Sequence, residues 1–428
     1  MIQALVIFIV TYILMISLPN YRWLVALASA ALYVILGIMP LNNVLGAIDW
    51  NVLLMIAGTM GIVALFIESK MPALLADKII DISPNVKWVT LSLSVFAGII
   101  SAFVDNVATV LMVAPLALTI AKKIKTSPVP MIIAISIASN LEGAATLVGD
   151  TTSILLGGYA DMNFFDFFFY HGKIGLFFIN QIGLIFATLV LAWMFRKNTA
   201  ELSFKGDTFV SDYIPTFALL GTIISLIIAS FIDLSFLPEL VQTNINGVIC
   251  IFFMLLTLIL ELISNPQSKP MQIVAEAFDH ETIILLGALF VVIASIKEAG
   301  VIDAIADLFY KVGGDNLFLM YTIIVWASVI LSAFIDNIPY VATMLPVVNS
   351  LAVSMGQDPT VLYFGLLCGA TLGGNLTPIG ASANIAGIGI LRKEGYEVEN
   401  KAFMKISVPY TLAAVTSAYI LVWLLFAK

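Results

Sequence analysis

Apolar runs close to bilayer length recur along the chain, separated by short polar turns. A helix needs about 20 apolar residues to cross the hydrocarbon core of a membrane. On that scale the pattern predicts spans near 2–17, 21–39, 51–68, 172–195, 213–231, 245–264, 281–298 and 402–426. Four further apolar regions, 88–119, 130–157, 316–350 and 360–390, are interrupted in the middle by polar residues or glycines. Region 88–119 is too short for two spans and a loop. Its break at Asp105-Asn106 predicts a re-entrant hairpin that enters and leaves on one side. Region 130–157 fits one span with an unwound middle from Glu142 to Asp150.

The pattern also repeats. Ser101-Ala-Phe-Val-Asp-Asn106 returns as Ser332-Ala-Phe-Ile-Asp-Asn337, 231 residues later. At the same offset Pro115 falls on Pro346, Thr146 on Thr377, Gly149 on Gly380 and Ile154 on Ile385, and the span 172–195 falls on 402–426. Fixed-offset identity points to duplication. It divides the chain into residues 1–195 and 213–428, joined by a polar linker at 196–212. Each half then has five crossings and one hairpin. An odd number of crossings turns the second half upside down, and inverted repeats mark secondary transporters. The predicted fold class is an all-α membrane protein of two inverted repeats, with about ten transmembrane helices, two re-entrant hairpins and two broken helices.

Charge placement supports this topology. It puts fifteen of the 19 Lys and Arg residues on one face and only Lys173, Lys297, Lys311 and Lys428 on the other. The richer face is then cytoplasmic and both termini lie outside. Composition agrees: the chain is 61% hydrophobic and 11% charged, against about a quarter charged in soluble domains. Lipid is the solvent for most of it. Short loops and the lack of targeting tails predict a multi-pass protein of a prokaryotic inner membrane. The N-terminus reads as a first span rather than a signal peptide. A net charge of −8 argues against nucleic acid. Cys250 and Cys368 lie in apolar runs, and His171 and His280 have no ligand-forming neighbours, so neither disulfides nor a structural metal is expected. Lys122-Lys123-Ile-Lys125 reads as a solvated cytoplasmic anchor, and the run Phe164 to Tyr170 as an interfacial aromatic belt.

Backbone that leaves the helix at membrane depth survives only inside protein or along a watery cavity. Four such breaks are predicted. Two are hairpin tips, Asp105 to Thr109 and Asp336 to Tyr340; two are helix breaks, Glu142 to Asp150 and Gly373 to Gly380. Glycines Gly143, Gly149, Gly373, Gly374 and Gly380 let the chain unwind and a ligand approach the backbone. Freed carbonyls can coordinate a cation, and the start of the following half-helix offers N–H groups to an anion. Thr151, Thr152 and Ser153 open one half-helix, and Ser382 and Asn384 the other. A carboxylate at the bilayer centre costs at least about 2–3 kcal/mol, so one found there is a functional candidate. Asp105, Glu142, Asp150 and Asp336 all sit at the breaks, where they can hold a cation or carry a proton. Sodium at the Asp105 and Asp336 tips is the one bound cofactor expected. The plainer readings are that the Asp-Asn pairs cap helices, that Glu142 faces headgroups, and that the glycines serve close helix packing.

At these residues the sequence resembles the ion transporter superfamily, in the branch of arsenite permeases, NhaD sodium/proton antiporters and the melanosomal P protein. The matching stretches are SAFVDNVATVLMVAP, GAATLVGDTTS, SAFIDNIPYVATMLPV and GGNLTPIGASANIAGIG. Gly149-Asp-Thr-Thr-Ser153 is similar to the antiporters, where many relatives carry Gly-Asp-Pro-Pro-Asn, and the second-half motif looks more like the P protein. The resemblance implies a scaffold and a moving transport domain, elevator-like displacement, and a homodimer. It implies a site built from Asp105, Asn106, Thr146, Asp150, Asp336, Asn337, Asn375, Thr377 and Asn384. Thr109 lies on the same hairpin tip. The function expected is secondary active transport of a small inorganic or organic ion or anion, coupled to a Na+ or H+ gradient. The rivals are Na+/H+ antiport with no anion and an anion channel; an intramembrane enzyme is not expected.

Overall fold

A computed structural model describes residues 1–123, 125–200, 208–210 and 212–427. Lys428 and residues 201–207 and 211 of the 196–212 linker, Lys205 among them, lie outside the described residues. The first half carries α1 (Ile2–Ser17), α2 (Arg22–Ile35), α3 (Trp50–Glu68), α4 (Met71–Asp81), α5 (Val86–Ser101), α6 (Asn106–Lys123), α7 (Val129–Glu142), α8 (Thr151–Tyr159) and α9 (Leu176–Met194). The second carries α10 (Ile214–Ala229), α11 (Ile245–Ser264), α12 (Pro270–Ala277), α13 (His280–Glu298), α14 (Val301–Gly313), α15 (Leu317–Ser332), α16 (Asn337–Ser354), α17 (Thr360–Gly373), α18 (Ser382–Lys393) and α19 (Asn400–Phe426).

The sequence offset is written into the helix boundaries. Helices α5, α6 and α7 begin and end 231 residues before α15, α16 and α17, and α8 begins 231 before α18. The caps recur with them. Asn85 accepts from Trp88 N at 3.2 Å and Asn316 from Leu319 N at 3.0 Å; Asp49 and Asp279 cap α3 and α13 in the same way. Such side-chain acceptors satisfy N–H groups that a helix start leaves without partners. The pairs α5–α6 and α15–α16 are the two hairpins, and α7–α8 and α17–α18 the two broken helices.

Three helices escape the span pattern. Each of α4, α12 and α14 is too short to cross a bilayer, and a window set to about 20 apolar residues passes over it. Among the described residues, six helices are long and apolar enough to cross a membrane by length and composition, while α1 and α2 meet at a bend of 118°. Large apolar side chains such as Trp193, Phe217 and Ile263 stand exposed on the outer surface, as lipid contact requires. The aromatic run is more than a belt: Phe164 and Phe167 are fully buried. Its end forms a tight hairpin, Phe169–Tyr170 against Lys173–Ile174, turned by His171 and Gly172 at φ 49° and 76°. Lys122 is exposed, as expected of a solvated anchor, and also forms an ion pair with exposed Glu394 beyond the end of α18.

Packing sorts the helices into two groups. In one, α3 packs on α11, α11 on α10, and α13 on α2; in the other, α5 packs on α7, α15 on α17, and α9 on α19. The second group is cross-braced by amides. Fully buried Asn140 donates to Thr371 O at 2.7 Å and to Asn375 Oδ1 at 3.1 Å, and accepts from Asn106 Nδ2 at 3.1 Å. Asn375 Nδ2 returns a bond to Ile137 O at 2.8 Å. Asn140→Ala strands these groups without water, at roughly 1–3 kcal/mol for each left unpaired. Unfolding in detergent is expected to show the loss, and an unchanged midpoint would contradict the brace.

Candidate functional site

Both helix breaks are tied to the hairpin beside them by the same contacts. The Thr146 hydroxyl donates to Ala102 O, and Thr377 donates to Ala333 O. Ser153 donates to Gly143 O at 3.0 Å, and Asn384 Nδ2 to Gly374 O and Thr377 O at 3.2 Å each. Gly149 and Gly380 allow the approach. A Cβ on Gly149 would lie 2.8–3.0 Å from the carbonyl oxygens of Gly143, Ala102 and Ser101. One on Gly380 would meet Gly374, Ala333 and Ser332 in the same way. Gly143 and Gly374 are pressed just as closely, against Asp150 Cβ and Gly380 O. These residues build the backbone cradle rather than line a space.

The space lies between the two helix groups. A cavity of about 500 Å³ is bounded by Met60, Val63, Ala64 and Ile67 of α3 on one side and by the tips and breaks on the other. Four helix starts converge on it: α6 through Asn106, Val107 and Ala108, α8 through Asp150 and Thr151, α16 through Asn337 and Ile338, and α18 through Ser382. Helix starts present unpaired N–H groups and the positive end of the dipole.

Two starts carry a carboxylate that faces the cavity. Asp105 Oδ1 accepts from Val107 N and Ala108 N, each at 3.0 Å. Asp150 Oδ1 accepts from Thr151 N at 2.9 Å, and its Oδ2 accepts from Thr152 Oγ1 at 2.8 Å. Thr371 Oγ1 lies 3.0 Å behind Thr152. The Asp-Asn pairs therefore do cap helices, and they do so at a cavity wall. Thr109, one turn into α6, is buried, and its hydroxyl has no partner among the described residues. Exposed Glu276 and Asp279 add carboxylates at the rim, beside α12 and the start of α13.

The other half differs. Ala381 stands where Asp150 stands in the first repeat, so no side chain caps α18. Asp336 caps Ile338 N at 3.1 Å but does not line the cavity; its Oδ2 is taken by Arg22 Nη1 at 2.7 Å. The expected free carboxylate is thus in an ion pair between the α1–α2 bend and the second-half tip. The neighbouring Tyr12 hydroxyl donates to Pro339 O at 2.6 Å and pairs with the Thr343 hydroxyl. Arg22→Ala leaves Asp336 without its cation, and a cost of roughly 1–3 kcal/mol is expected. Adding Asp336→Asn should recover part of it; a second substitution that only adds to the loss would contradict the pairing.

Glu142 stands apart from the other carboxylates. It neither faces headgroups nor reaches the cavity, but is fully buried against α9. Sequence reading also passed over Arg22, Asn140, Gln181, Glu276 and Asp279. Asn140 and Gln181 carried a signal, since an amide inside an apolar helix needs a partner. Arg22 carried none, for it sits in a turn where an anchoring cation is ordinary.

A profile of the citrate transporter family (CitMHS) matches residues 12–356 and, overlapping, 240–428. The chain belongs to this family. An uncharacterized transporter of Mycobacterium tuberculosis is 30% identical over 439 residues, covering 98% of this chain and 97% of its own. The P protein of Mus musculus is 26% identical over 91% of this chain and 56% of its own length. These relatives place the citrate transporter family member in the ion transporter superfamily as a multi-pass membrane transporter. The crystal structure of the Alcanivorax borkumensis YdaH transporter superposes with a TM-score of 0.61 at 13% identity, over 89% of this chain and 87% of that one. At that identity the likeness is one of fold.

Proposed function

We propose that this protein is a secondary active transporter that couples a small anion to a Na+ or H+ gradient. In this reading the hairpin and broken-helix group moves, elevator-like, against α1–α3 and α10–α13. The asymmetry of the cavity carries the proposal. Its first-repeat wall, with Asp105 and Asp150 at two helix starts, suits a cation. Its second-repeat wall has a bare helix start at Ser382, while the aspartate of that tip lies outside the cavity in an ion pair with Arg22, and this wall suits an anion. Thr151, Asn106 and Asn337 supply neutral polar contacts between them, and Thr152 holds Asp150 from behind. Citrate, the cargo in the family's name, meets Asp105, Asp150, Glu276 and Asp279 in this cavity. It would need cations at the first-repeat wall to offset that repulsion.

The acidic rim lies on the lysine-rich face of the sequence, beside Lys269, which supports a cytoplasm-open conformation with both termini outside. The resemblance supports a homodimer in a cell inner membrane. A second reading, Na+/H+ antiport with no anion, is favoured by Gly149-Asp-Thr-Thr-Ser153, similar to the NhaD branch, and by a cavity with no Lys or Arg in its wall. The internal pH of proteoliposomes after a sodium pulse, with and without external citrate, separates the two. A response that needs citrate supports the anion carrier, and one to sodium alone supports antiport. Single-channel current steps in a planar bilayer would overturn both.

A further inference from the structure

The two repeats differ most sharply where helix α7 ends. Glu142, its last residue, is fully buried. Its Oε2 accepts a bond from Gln181 Nε2 of α9 at 2.5 Å, and its Oε1 has no partner among the described residues. The side chain fits because α5 carries Gly98 there: a Cβ on that residue would lie 3.1 Å from Glu142 Cγ. At the repeat offset Glu142 becomes Gly373, Gly98 becomes Val329 and Gln181 becomes Leu412. There Gly373 sits directly on Val329, its Cβ position 2.5 Å from the Val329 Cα. The second repeat thus closes the corresponding contact between α15 and α17 with a glycine against a valine. The fold does not need a carboxyl at this place, yet the first repeat makes room for one and gives it an amide partner.

No ion pair offsets the group among the described residues. Tyr410 of α19 is a titratable neighbour close enough to act on it electrostatically. Gly98 of α5 lies beside it, and α9 contributes the neutral Gln181. An ionised carboxylate in such a place would stand dry and unpaired, at a cost of several kcal/mol. The neutral acid leaves Oε2 to accept from Gln181 and puts the proton on Oε1, and a lone hydroxyl without a partner is far cheaper to bury.

Glu142 is also in contact with the cavity by one step. Gly143 follows it in the chain, and a Cβ on Gly143 would lie 2.8 Å from Asp150 Cβ. A change at Asp150 therefore presses on the backbone that holds Glu142.

We propose that Glu142, with Gln181, is a separate proton-binding site of this transporter, in a dry compartment between α5, α7 and α9 and outside the cargo cavity. In each cycle the carboxylate takes one proton from water on one face and returns one on the other, while a cation at Asp105 and Asp150 or an anionic cargo at Ser382 occupies the cavity. This deepens the proposed function and rests on the chain being a coupled transporter.

Infrared titration of the protein in lipid tests the site without reference to cargo. Wild type is expected to show a protonated-carboxyl band at neutral pH that disappears as pH rises. The band should be missing in Glu142→Gln and in Gly98→Val/Glu142→Gly, which copies the packing of the second repeat. In proteoliposomes with citrate as the probe, both variants should lose uptake driven by a pH gradient. A band that persists in both variants, or a wild-type band indifferent to pH, would overturn the proposal. So would pH-driven uptake that survives in Glu142→Gln. If wild type moves citrate under no gradient, the transport reading of this cargo fails, while the infrared titration still decides whether Glu142 is the proton site.

Discussion

Asp150→Asn is expected to cut gradient-driven transport by at least about tenfold while leaving the protein folded. The separation of the two effects follows from the cap. Asparagine caps helices as well as aspartate does, so stability should change by less than about 1 kcal/mol. Its carbonyl oxygen can take the bond from Thr151 N that Asp150 Oδ1 takes now. Its amide can donate to Thr152, whose hydroxyl is then free to donate to Thr371 at 3.0 Å. What the substitution removes is the charge on the cavity wall, and with it the attraction for a cation beside Thr151. Asp105 cannot replace it, because its Oδ1 is held by two backbone N–H groups on another helix start. Uptake in proteoliposomes, compared with unfolding in detergent, checks both halves. Wild-type uptake by the variant would remove Asp150 from the mechanism, and a collapsed fold would show that the cap reasoning is at fault.

Gly380→Ala is expected to act the other way, through the fold. The new methyl would lie 2.6 Å from Gly374 O, 2.8 Å from Ala333 O and 2.9 Å from Ser332 O. All three are backbone atoms, so no rotamer change relieves them. Moving them pulls the break away from the hairpin tip and breaks the Thr377 to Ala333 bond. Overpacking of this kind costs about 1–3 kcal/mol and at times more. The high end is expected here, with lower yield and an earlier unfolding transition in detergent. Gly149→Ala should do the same in the first repeat, at 2.8–3.0 Å from its three carbonyls. A stable, active Gly380→Ala would mean that the break and tip are not locked together.

Much of this architecture is legible in the sequence because lipid enforces it. Backbone cannot stay unpaired in hydrocarbon, so a Gly-rich or Asp-Asn interruption in an apolar run has few meanings, and the break at 143–150 falls where the interruption is; the tips turn at 102–105 and 333–336, and residues 106–109 and 337–340, expected to leave the helix, are helical. Duplication doubled the signal, since each feature could be read twice. What the sequence hid depends on distance. The link from Arg22 to Asp336 joins residues 314 apart in the chain, and no local pattern announces it. The Asn140 brace joins opposite repeats across the same interior. Glu142 was grouped with Asp150 because they bound one break, yet the two face different compartments. Thr146, Thr377 and Ser153 have the polar character of ligands, but their hydroxyls are spent on holding the backbone, as is the Asn384 Nδ2, whose Oδ1 has no partner among the described residues. Short helices such as α14 stayed unseen because their apolar faces are narrower than a bilayer span.

The most direct measurement of the central claim is citrate accumulation in proteoliposomes under an imposed Na+ or pH gradient, compared with no gradient. Coupled transport predicts accumulation above the external concentration with at least one gradient, and none when Asp150 is replaced by asparagine. Flux that is the same with either gradient, with both or with neither would contradict it.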